Sequence, residues 1–175
     1  MSNSNKTSKT TKTNFQKVIE FNDGFGVPVS DSIQTTIFKD NPGLVKLRLD
    51  LILEEVRELT DAAKEQDIVE TIDALADILY VVYGAGASFG IDLDKAFDIV
   101  HRSNMSKVCR NKEIAELTVK HYRENEKRYD TPTLYPLNDK EERYIVRNAS
   151  TGKALKSIEY TPACFLSMTI LDGKH

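Results

Sequence analysis

Two long segments of helical periodicity, separated by a break of a few residues, constrain the fold of this chain more than any other feature. Asn41 followed by Pro42 is typical of a helix start, because Asn caps the first turn and Pro fits its first position. This helix is predicted to run to about Lys64. Asp67 can cap a second helix, and Gly90 supplies its stop. Two helices joined so closely predict an antiparallel hairpin.

Both helices carry apolar stripes at the spacing expected of a helix buried on one side. The stripes consist of Val45, Leu49, Ile52, Val56, Leu59 and Ala63 in the first helix and of Ile68, Leu75, Ile78, Leu79 and Val82 in the second. Residues 78–87 are apolar nearly all round, which indicates burial on more than one side. One hairpin cannot cover them. We therefore predict an all-α bundle of four to five helices, completed by dimerisation.

The residues before the hairpin predict little regular structure. Residues 2–14 consist of Ser, Asn, Lys and Thr, so residues 1–14 are expected to be a disordered tail. Residues 15–21 predict a short first helix. The stretch 22–41 is rich in Gly, Ser and Thr and is predicted to be a loop, and loops of this length are usually functional or wrap a partner.

The residues after the hairpin predict helices followed by a small β appendage. A fourth helix is expected over 92–107, and a charged, weakly amphipathic pattern over 111–129 predicts a fifth, peripheral helix. Short strands are predicted after Arg143 and again over 164–170. The expected organisation is a helical domain, a helical insertion and a small β-rich C-terminal extension of the same domain, at residues 15–108, 109–142 and 143–175.

The composition argues against several classes of partner. The net charge is −3, so no basic field is available for nucleic acid or an anionic membrane. No apolar run is long enough to span a bilayer, and the N-terminus has no hydrophobic signal core. Cys109 and Cys164 lack metal-ligand spacing and indicate a reducing compartment. We expect a cytoplasmic protein.

Carboxylates at spacings of three and four residues mark one side of each hairpin helix. They are Glu54, Glu55 and Glu58 in the first helix and Glu70, Asp73 and Asp77 in the second. In the hairpin, Glu58 lies opposite Asp73. Glu55 falls close to Asp77, whereas Glu70 falls nearer the connection. Like charges this close repel and raise one another's pKa, which favours a cation between them. Oxygen ligands of this kind suit Mg²⁺ or Mn²⁺.

Each carboxylate taken alone has a plainer interpretation, because most acidic residues on helices form a solvated face. The combination favours a metal site. Asp is a poor helix former, yet Asp73 and Asp77 lie in the middle of the second helix. They also precede a segment that must be buried.

The acidic pattern and several further segments resemble the MazG-like all-α NTP pyrophosphohydrolase superfamily, and most closely its phosphoribosyl-ATP pyrophosphohydrolase-like branch. The segments are Phe25-Gly-Val-Pro-Val, Lys46-Leu-Arg-Leu-Asp-Leu, Asp73-Ala-Leu-Ala-Asp-Ile-Leu-Tyr-Val-Val-Tyr-Gly and Val100-His-Arg-Ser-Asn-Met-Ser-Lys, with a weaker resemblance from Arg147 to Pro162. Residues 109–142 depart from the branch as an insertion. A Glu that the superfamily often has in its second motif is Ala74 here, which leaves the fourth ligand open.

The resemblance implies an enzyme that hydrolyses a (d)NTP to (d)NMP and pyrophosphate. It implies Mg²⁺ as the cofactor, with Mn²⁺ as a substitute, a homodimer that can pair into a tetramer, and a role in nucleotide-pool house-cleaning. One alternative is a phosphoribosyl-ATP pyrophosphatase of histidine biosynthesis. The other is a non-catalytic helical module that binds a partner protein.

The resemblance also gives roles to candidate residues. The implied metal ligands are Glu55, Glu58 and Asp73, with Asp77 or Glu70 as the fourth; hairpin geometry favours Asp77 and the ExxD pattern favours Glu70. Glu54 is the candidate catalytic residue that orients or deprotonates water, an exposed glutamate being the alternative. Phosphate or nucleotide binding is assigned to Arg48, Asn104 and Lys107, with a salt bridge and a helix-end cation as alternatives. Phe21, Phe25 and Tyr83 are candidates for base stacking or, more plainly, for core packing.

Overall fold

The computed structural model describes residues 11–138 and 140–169, and these residues form seven helices and two strands. The helices are α1 Asn14–Gly24, α2 Ile37–Asp40, α3 Pro42–Glu65, α4 Ile68–Phe89, α5 Leu93–Met105, α6 Lys112–Asn125 and α7 Leu166–Thr169, and the strands are β1 Pro132–Pro136 and β2 Tyr144–Asn148. The mostly helical fold and the small sheet near the C-terminus are confirmed. Dimerisation and the domain boundaries remain predictions, and the predicted tail lies mainly outside the described residues.

The chain divides into two compact units. Among the described residues, one unit consists of 11–96 together with 168–169, and the other of 97–138 and 140–167. The hairpin carboxylates and Arg48 belong to the first unit. The second unit holds α6, the sheet and the end of α5.

The predicted hairpin of α3 and α4 is confirmed, together with its caps. The Oδ1 atom of Asn41 accepts a hydrogen bond from the N–H of Leu44 at 3.1 Å. Gln66 ends α3 in the left-handed conformation at φ 58°, and Asp67 accepts the first free N–H groups of α4. Gly90 ends α4 at φ 70°. These local signals place the two helices side by side over most of their length.

Helix α1 is longer than the predicted 15–21. It begins with a reciprocal capping box, in which Thr13 Oγ1 accepts from the N–H of Gln16 at 3.2 Å and Gln16 Oε1 accepts from the N–H of Thr13 at 3.0 Å. It ends at Gly24, and the short helix α2 occupies part of the stretch predicted to be a loop. The irregular stretch is therefore shorter than the sequence indicated.

The segment after α1 folds back onto the C-terminal end of α4. Its Ser30 N–H donates to the carbonyl of Ala87 at 2.9 Å, and its Gln34 N–H donates to the carbonyl of Phe89 at 3.0 Å. These bonds satisfy carbonyl groups that a helix end leaves free. Gly90 permits the contact, since a Cβ there would lie 1.8 Å from a carbonyl oxygen of the segment.

The apolar stripes of the hairpin are only partly covered within one chain. Leu49 is 53% exposed on α3, and Ile68 and Leu79 are 68% and 56% exposed on α4. The buried part of α4 is Ala74 and the stretch 84–88. The expected burial of the stripes is thus incomplete here, because neighbouring helices of the same chain cover other faces. Among the described residues, no single helix is long and apolar enough to cross a membrane, although α4 and α5 taken as one bent pair meet that length and composition.

Helix α6 forms the core of the second unit, so its prediction as a peripheral helix is wrong. It buries Ile114, Ala115 and Val119 in a cluster with Val146 of β2. Strand β1 pairs with β2 in antiparallel register, with Leu134 opposite Val146. Charged residues between the apolar positions of α6 weaken its periodicity, although its buried side is continuous.

Two further strand assignments differ from the sequence. The run from Cys164 was expected to form a strand, but it contains the short helix α7. A strand needs a hydrogen-bonding neighbour, and the sheet of the described residues consists of β1 and β2 alone. Strand β1 instead lies in the segment 109–142, which was predicted to be helical and also holds α6.

Candidate functional site

The carboxylates of the hairpin converge around Glu55. Partial burial raises the pKa of Glu55, and the charges of Glu58, Asp77, Glu54 and Asp73, in that order, raise it further. Glu54, Glu55 and Glu58 lie on α3, and Asp73 and Asp77 lie on α4, which packs against α3 in the hairpin. The structure therefore places Glu55 at the centre of a concentrated negative charge. We call these five residues the carboxylate cluster.

Glu70 lies outside this cluster. It occupies the first turn of α4, where its N–H donates to Asp67 Oδ1 at 3.1 Å, and its side chain is exposed. It is not among the charges that raise the pKa of Glu55, whereas Asp77 is. The geometry thus favours Asp77 as the fourth ligand, and the assignment itself remains a prediction.

The chemistry of the cluster fits a hard divalent cation. All of its members are carboxylates, which are the ligands that Mg²⁺ and Mn²⁺ take in proteins. A divalent ion would lower the pKa of Glu55, which burial and then the charges of the other cluster members raise. Within residues 11–138 and 140–169, no three His, Cys, Asp or Glu side chains are close enough as they stand to hold one ion. Binding would therefore require the exposed carboxylates to turn inward by side-chain rotation.

A buried guanidinium lies further along the same two helices. Arg48 is 7% exposed, and its Nη1 atom would be 3.3 Å from a Cβ placed on Gly84. Burial lowers the pKa of Arg48. Its Nε atom has no hydrogen-bond partner, and its guanidinium makes no ion pair within the described part of the chain. The salt bridge considered as the alternative for Arg48 is thus not found.

A second buried donor was missed by the sequence reasoning. Asn22 of α1 is 3% exposed, and its Nδ2 atom has no hydrogen-bond partner within the part of the chain that the structure describes. Helix α1 runs antiparallel to α4, with Val18 beside Gly84 and the ring of Phe21 against that of Tyr80. The signal was present in the spacing, since Asn22 follows Val18 by four residues and so continues the buried stripe of α1.

Aromatic rings cluster near the C-terminal end of α1. Phe21 and Phe25 are stacked with centroids 4.3 Å apart, and Tyr80 meets Phe21 edge-on at 5.6 Å. Phe25 is 73% exposed. Tyr83 instead packs near the buried ring of Phe15 at 6.0 Å. Of the stacking candidates, Phe21 and Phe25 therefore present rings to solvent.

Asn104 and Lys107 form a pair at the end of α5, in the second unit. The Nζ atom of Lys107 donates to Asn104 Oδ1 at 2.7 Å. Asn104 is exposed and Lys107 is half-buried. Their predicted spacing of one turn is thus observed, and their contact with phosphate remains a prediction.

Comparison with known proteins identifies the family of this chain. The sequence model of the family described as phosphoribosyl-ATP pyrophosphohydrolase matches residues 18–104, which include every candidate site residue except Lys107. The uncharacterized protein L479 of Acanthamoeba polyphaga mimivirus is 33% identical over 228 aligned positions, covering 83% of this chain and 91% of that protein. The resemblance inferred from the acidic pattern is confirmed. The chain belongs to the phosphoribosyl-ATP pyrophosphohydrolase family, within the MazG-like NTP pyrophosphohydrolase superfamily.

Proposed function

We propose that this chain is a Mg²⁺-dependent nucleoside triphosphate pyrophosphohydrolase that cleaves a (d)NTP to (d)NMP and pyrophosphate. Family membership supports a nucleotide pyrophosphohydrolase. The observation that carries the proposal is the hairpin of α3 and α4, which places Glu55 among the charges of Glu58, Asp77, Glu54 and Asp73. A chain that concentrates like charges in this way gains stability when a cation binds among them.

Four residues of the carboxylate cluster are proposed to bind the metal ion, and the fifth to act on the attacking water. Glu55, Glu58, Asp73 and Asp77 would hold Mg²⁺, and Mn²⁺ could replace it because both take carboxylate oxygens. When bound, the ion would neutralise phosphate charge and lower the pKa of an attacking water. Glu54 precedes Glu55 on α3 and is exposed, so its carboxylate is free to orient or deprotonate that water.

The donors outside the cluster would bind the rest of the nucleotide. Asn104 and Lys107 already form a hydrogen-bonded pair, and an amide and an ammonium group suit phosphate oxygens. Arg48 offers an Nε–H group with no hydrogen-bond partner among the described residues. Pyrophosphate transfer requires charge stabilisation and positioning more than covalent chemistry, so these contacts would matter for rate as well as for affinity.

A homodimer, able to pair into a tetramer, is part of this proposal. The exposed apolar side chains of Leu49 on α3 and of Ile68 and Leu79 on α4 are the kind of surface that associates. We further propose a role in cytoplasmic nucleotide-pool house-cleaning. Cys109 and Cys164 are both free thiols, as a reducing compartment would keep them.

Pyrophosphate release from a panel of dNTPs, with and without Mg²⁺, tests the proposal. We expect turnover that requires the metal and that is lost in the double variant of Glu55→Ala with Asp73→Ala. Glu65→Ala, an exposed glutamate at the end of α3, is the matched control and should retain activity. Absence of turnover of every nucleotide by the wild type would overturn the enzyme assignment. Activity that survives in the double variant would overturn the metal assignment.

A second candidate follows from the description of the family itself. Phosphoribosyl-ATP belongs in the same panel, and exclusive turnover of that compound would replace the (d)NTP assignment. The non-catalytic helical module predicts neither turnover nor Mg²⁺ binding. Titration of the metal by calorimetry separates it from both enzyme candidates.

A further inference from the structure

The C-terminal segment 155–161, which we call the linking segment, is hydrogen-bonded to the core helix of the second unit. The backbone N–H of Lys156 donates to the hydroxyl of Tyr122 at 3.0 Å, and the N–H of Ile158 donates to Thr118 Oγ1 at 3.2 Å. Tyr122 and Thr118 are buried residues of α6. The first part of the linking segment is therefore fixed to the core.

The last part of the linking segment is hydrogen-bonded to the end of α5. Ser103 Oγ donates to the carbonyl of Thr161 at 2.9 Å and shares a hydrogen bond of 3.1 Å with the hydroxyl of Tyr160. The N–H of Thr161 donates to Ser106 Oγ at 2.9 Å. Ser103 is buried and Ser106 is half-buried, so water has limited access to these bonds. Thr161 is thus bound to the two serines through both its N–H and its carbonyl.

The two serines adjoin the candidate phosphate-binding pair. Asn104 directly follows Ser103, and Lys107 directly follows Ser106. Helix α5 ends at Met105, and helix ends fray because their last carbonyl groups lack partners within the helix. Here the carbonyl of Ser103 accepts a hydrogen bond from Ser106 Oγ at 2.8 Å. The linking segment therefore holds the backbone from which both side chains of the pair project.

We propose that the linking segment positions Asn104 and Lys107 for phosphate binding. Ser103 and Ser106 are the positioning residues, because they carry the hydrogen bonds to Thr161. This inference rests on the proposed function, in which the pair binds phosphate oxygens. Lys107 Nζ already donates to Asn104 Oδ1 at 2.7 Å. A phosphate that binds to a pair fixed in this way loses less conformational entropy than one that must order a frayed helix end.

The same contacts give a role to the insertion at 109–142. This segment departs from the family pattern, and it contains α6, which binds the linking segment through Thr118 and Tyr122. The insertion would therefore support the phosphate-binding pair without itself contacting phosphate.

A double-mutant cycle tests whether the serines act through the pair. Ser103→Ala and Ser106→Ala should each lower kcat/KM about three- to tenfold for every dNTP that the wild type hydrolyses. In a background without the two phosphate donors, Asn104→Ala with Lys107→Met, the same substitutions should change kcat/KM by less than about twofold. An equal loss in both backgrounds would overturn the inference, because the serines would then act on stability alone. Single variants as active as the wild type would also overturn it.

Two conservative variants guard against misfolding of the alanine variants. Ser106→Thr keeps the hydroxyl group and should retain kcat/KM within about twofold of the wild type. Tyr160→Phe removes the hydroxyl shared with Ser103 and keeps the ring that lies 4.4 Å from Lys156 Nζ. It should lower kcat/KM about two- to threefold, because Ser103 retains its bond to Thr161. A loss in Tyr160→Phe that persists in the background without the pair would contradict the positioning role.

Ser150→Ala is the matched control within the second unit. It removes a hydrogen bond to Asp130 Oδ1 of 2.6 Å, which lies outside the linking segment and α5. Its kcat/KM should equal that of the wild type. A loss as large as that of Ser106→Ala would show that any missing hydrogen bond in this unit has the same effect, which would overturn the inference.

A binding test does not depend on catalysis. Inorganic pyrophosphate is titrated into nitrogen-15-labelled protein in EDTA, so that no metal ion joins it to the carboxylates. It should shift the side-chain amide signals of Asn104, and its dissociation constant should rise about threefold or more in Ser106→Ala. No shift in the wild type, or an equal dissociation constant in the variant, would overturn the inference even if dNTPs are hydrolysed. Binding that Ser106→Ala weakens, in a protein that hydrolyses no nucleotide, would uphold the positioning role and refute the proposed function.

Discussion

Arg48 of α3 lies against Gly84 of α4, with Nη1 at 3.3 Å from the position that a Cβ on Gly84 would occupy. Gly84→Ala should therefore displace the guanidinium by a few tenths of an ångström and lower kcat/KM for the nucleoside triphosphate about three- to tenfold, because Arg48 is proposed to bind the nucleotide. The free energy of unfolding should change by no more than about 1 kcal/mol, since Ala favours the helix by a similar amount. Gly43→Ala, where a Cβ would meet only Asn41 at 3.9 Å, is the kinetic control. Unchanged kinetics in Gly84→Ala would contradict the proposed role of Arg48 in nucleotide binding.

The raised pKa of Glu55 predicts a pH dependence of stability in the metal-free protein. Because the pKa is higher in the folded state, the contribution of Glu55 to stability is fully present below its ordinary value of 4.5 and is lost as the pH rises through the raised value. At pH 7 in EDTA, Glu55→Gln should therefore melt at a higher temperature than the wild type, and the difference should vanish toward pH 4. Thermal melts across this range check the sign, with Glu65→Gln as the control. A wild type that melts above Glu55→Gln at pH 7 would contradict it.

Added Mg²⁺ should make the wild type melt at a higher temperature than Glu55→Gln at pH 7. A ligand that binds only the folded state stabilises it by about 2.7 kcal/mol at one hundred times its dissociation constant. We expect the wild type to gain stability with added Mg²⁺, and to gain more as the pH rises, because the ligands must be deprotonated. Glu55→Gln and Asp73→Asn should gain little. Equal gains in stability for the wild type and the variants would show that Mg²⁺ binds outside the carboxylate cluster.

The alternative fourth ligands can be separated by two matched substitutions. Asp77 contributes to the raised pKa of Glu55, and Glu70 does not. Asp77→Asn should lower kcat/KM by about a hundredfold, the scale on which lost metal or charge contacts act, whereas Glu70→Gln should stay within about threefold. Steady-state rates at saturating Mg²⁺ provide the measurement. The reverse order would show that the ExxD spacing identifies the ligand better than the hairpin geometry does.

Asn148, the last residue of β2, makes hydrogen bonds to the residues just before β1. It is 1% exposed, its Oδ1 accepts from the N–H of Thr131 at 2.9 Å, and its Nδ2 donates to Asp130 at 3.0 Å. Asn148→Ala should cost about 1–3 kcal/mol of unfolding free energy, because it removes a buried side chain that makes part-buried hydrogen bonds to Thr131 and Asp130. Chemical denaturation checks this value, and the exposed Asn125→Ala should stay within about 0.5 kcal/mol. A loss no greater than that of the control would show that water replaces the bond.

The hairpin and its carboxylates were predictable because their signals are local. Asn41, Asp67 and Gly90 each act on the few residues beside them, and two capped helices with a short connection have one way to pair. That pairing also brought Glu55 close to Asp77. The roles of these residues in binding metal and substrate remain predictions.

Other features depend on contacts between distant residues and were not predictable. Strand β1 is bounded by Pro132 and Pro136 and has little strand character until it pairs with β2. The central place of α6 depends on Val146, which comes far later in the chain. Asn22 resembles any polar residue in a helix, and its burial arises only when α1 packs against α4.

The backbone bonds between the segment after α1 and the end of α4 bear on the order in which the site assembles. The side chain of Ser88 donates to the carbonyl of Pro28 at 2.9 Å, across 60 residues of sequence. The hairpin closes over far fewer residues and can form early, whereas contacts of long sequence separation form slowly because a large loop must close first. The carboxylates would then assemble before Asn22 is locked in place. A slow refolding phase should therefore follow the step in which metal binding is recovered.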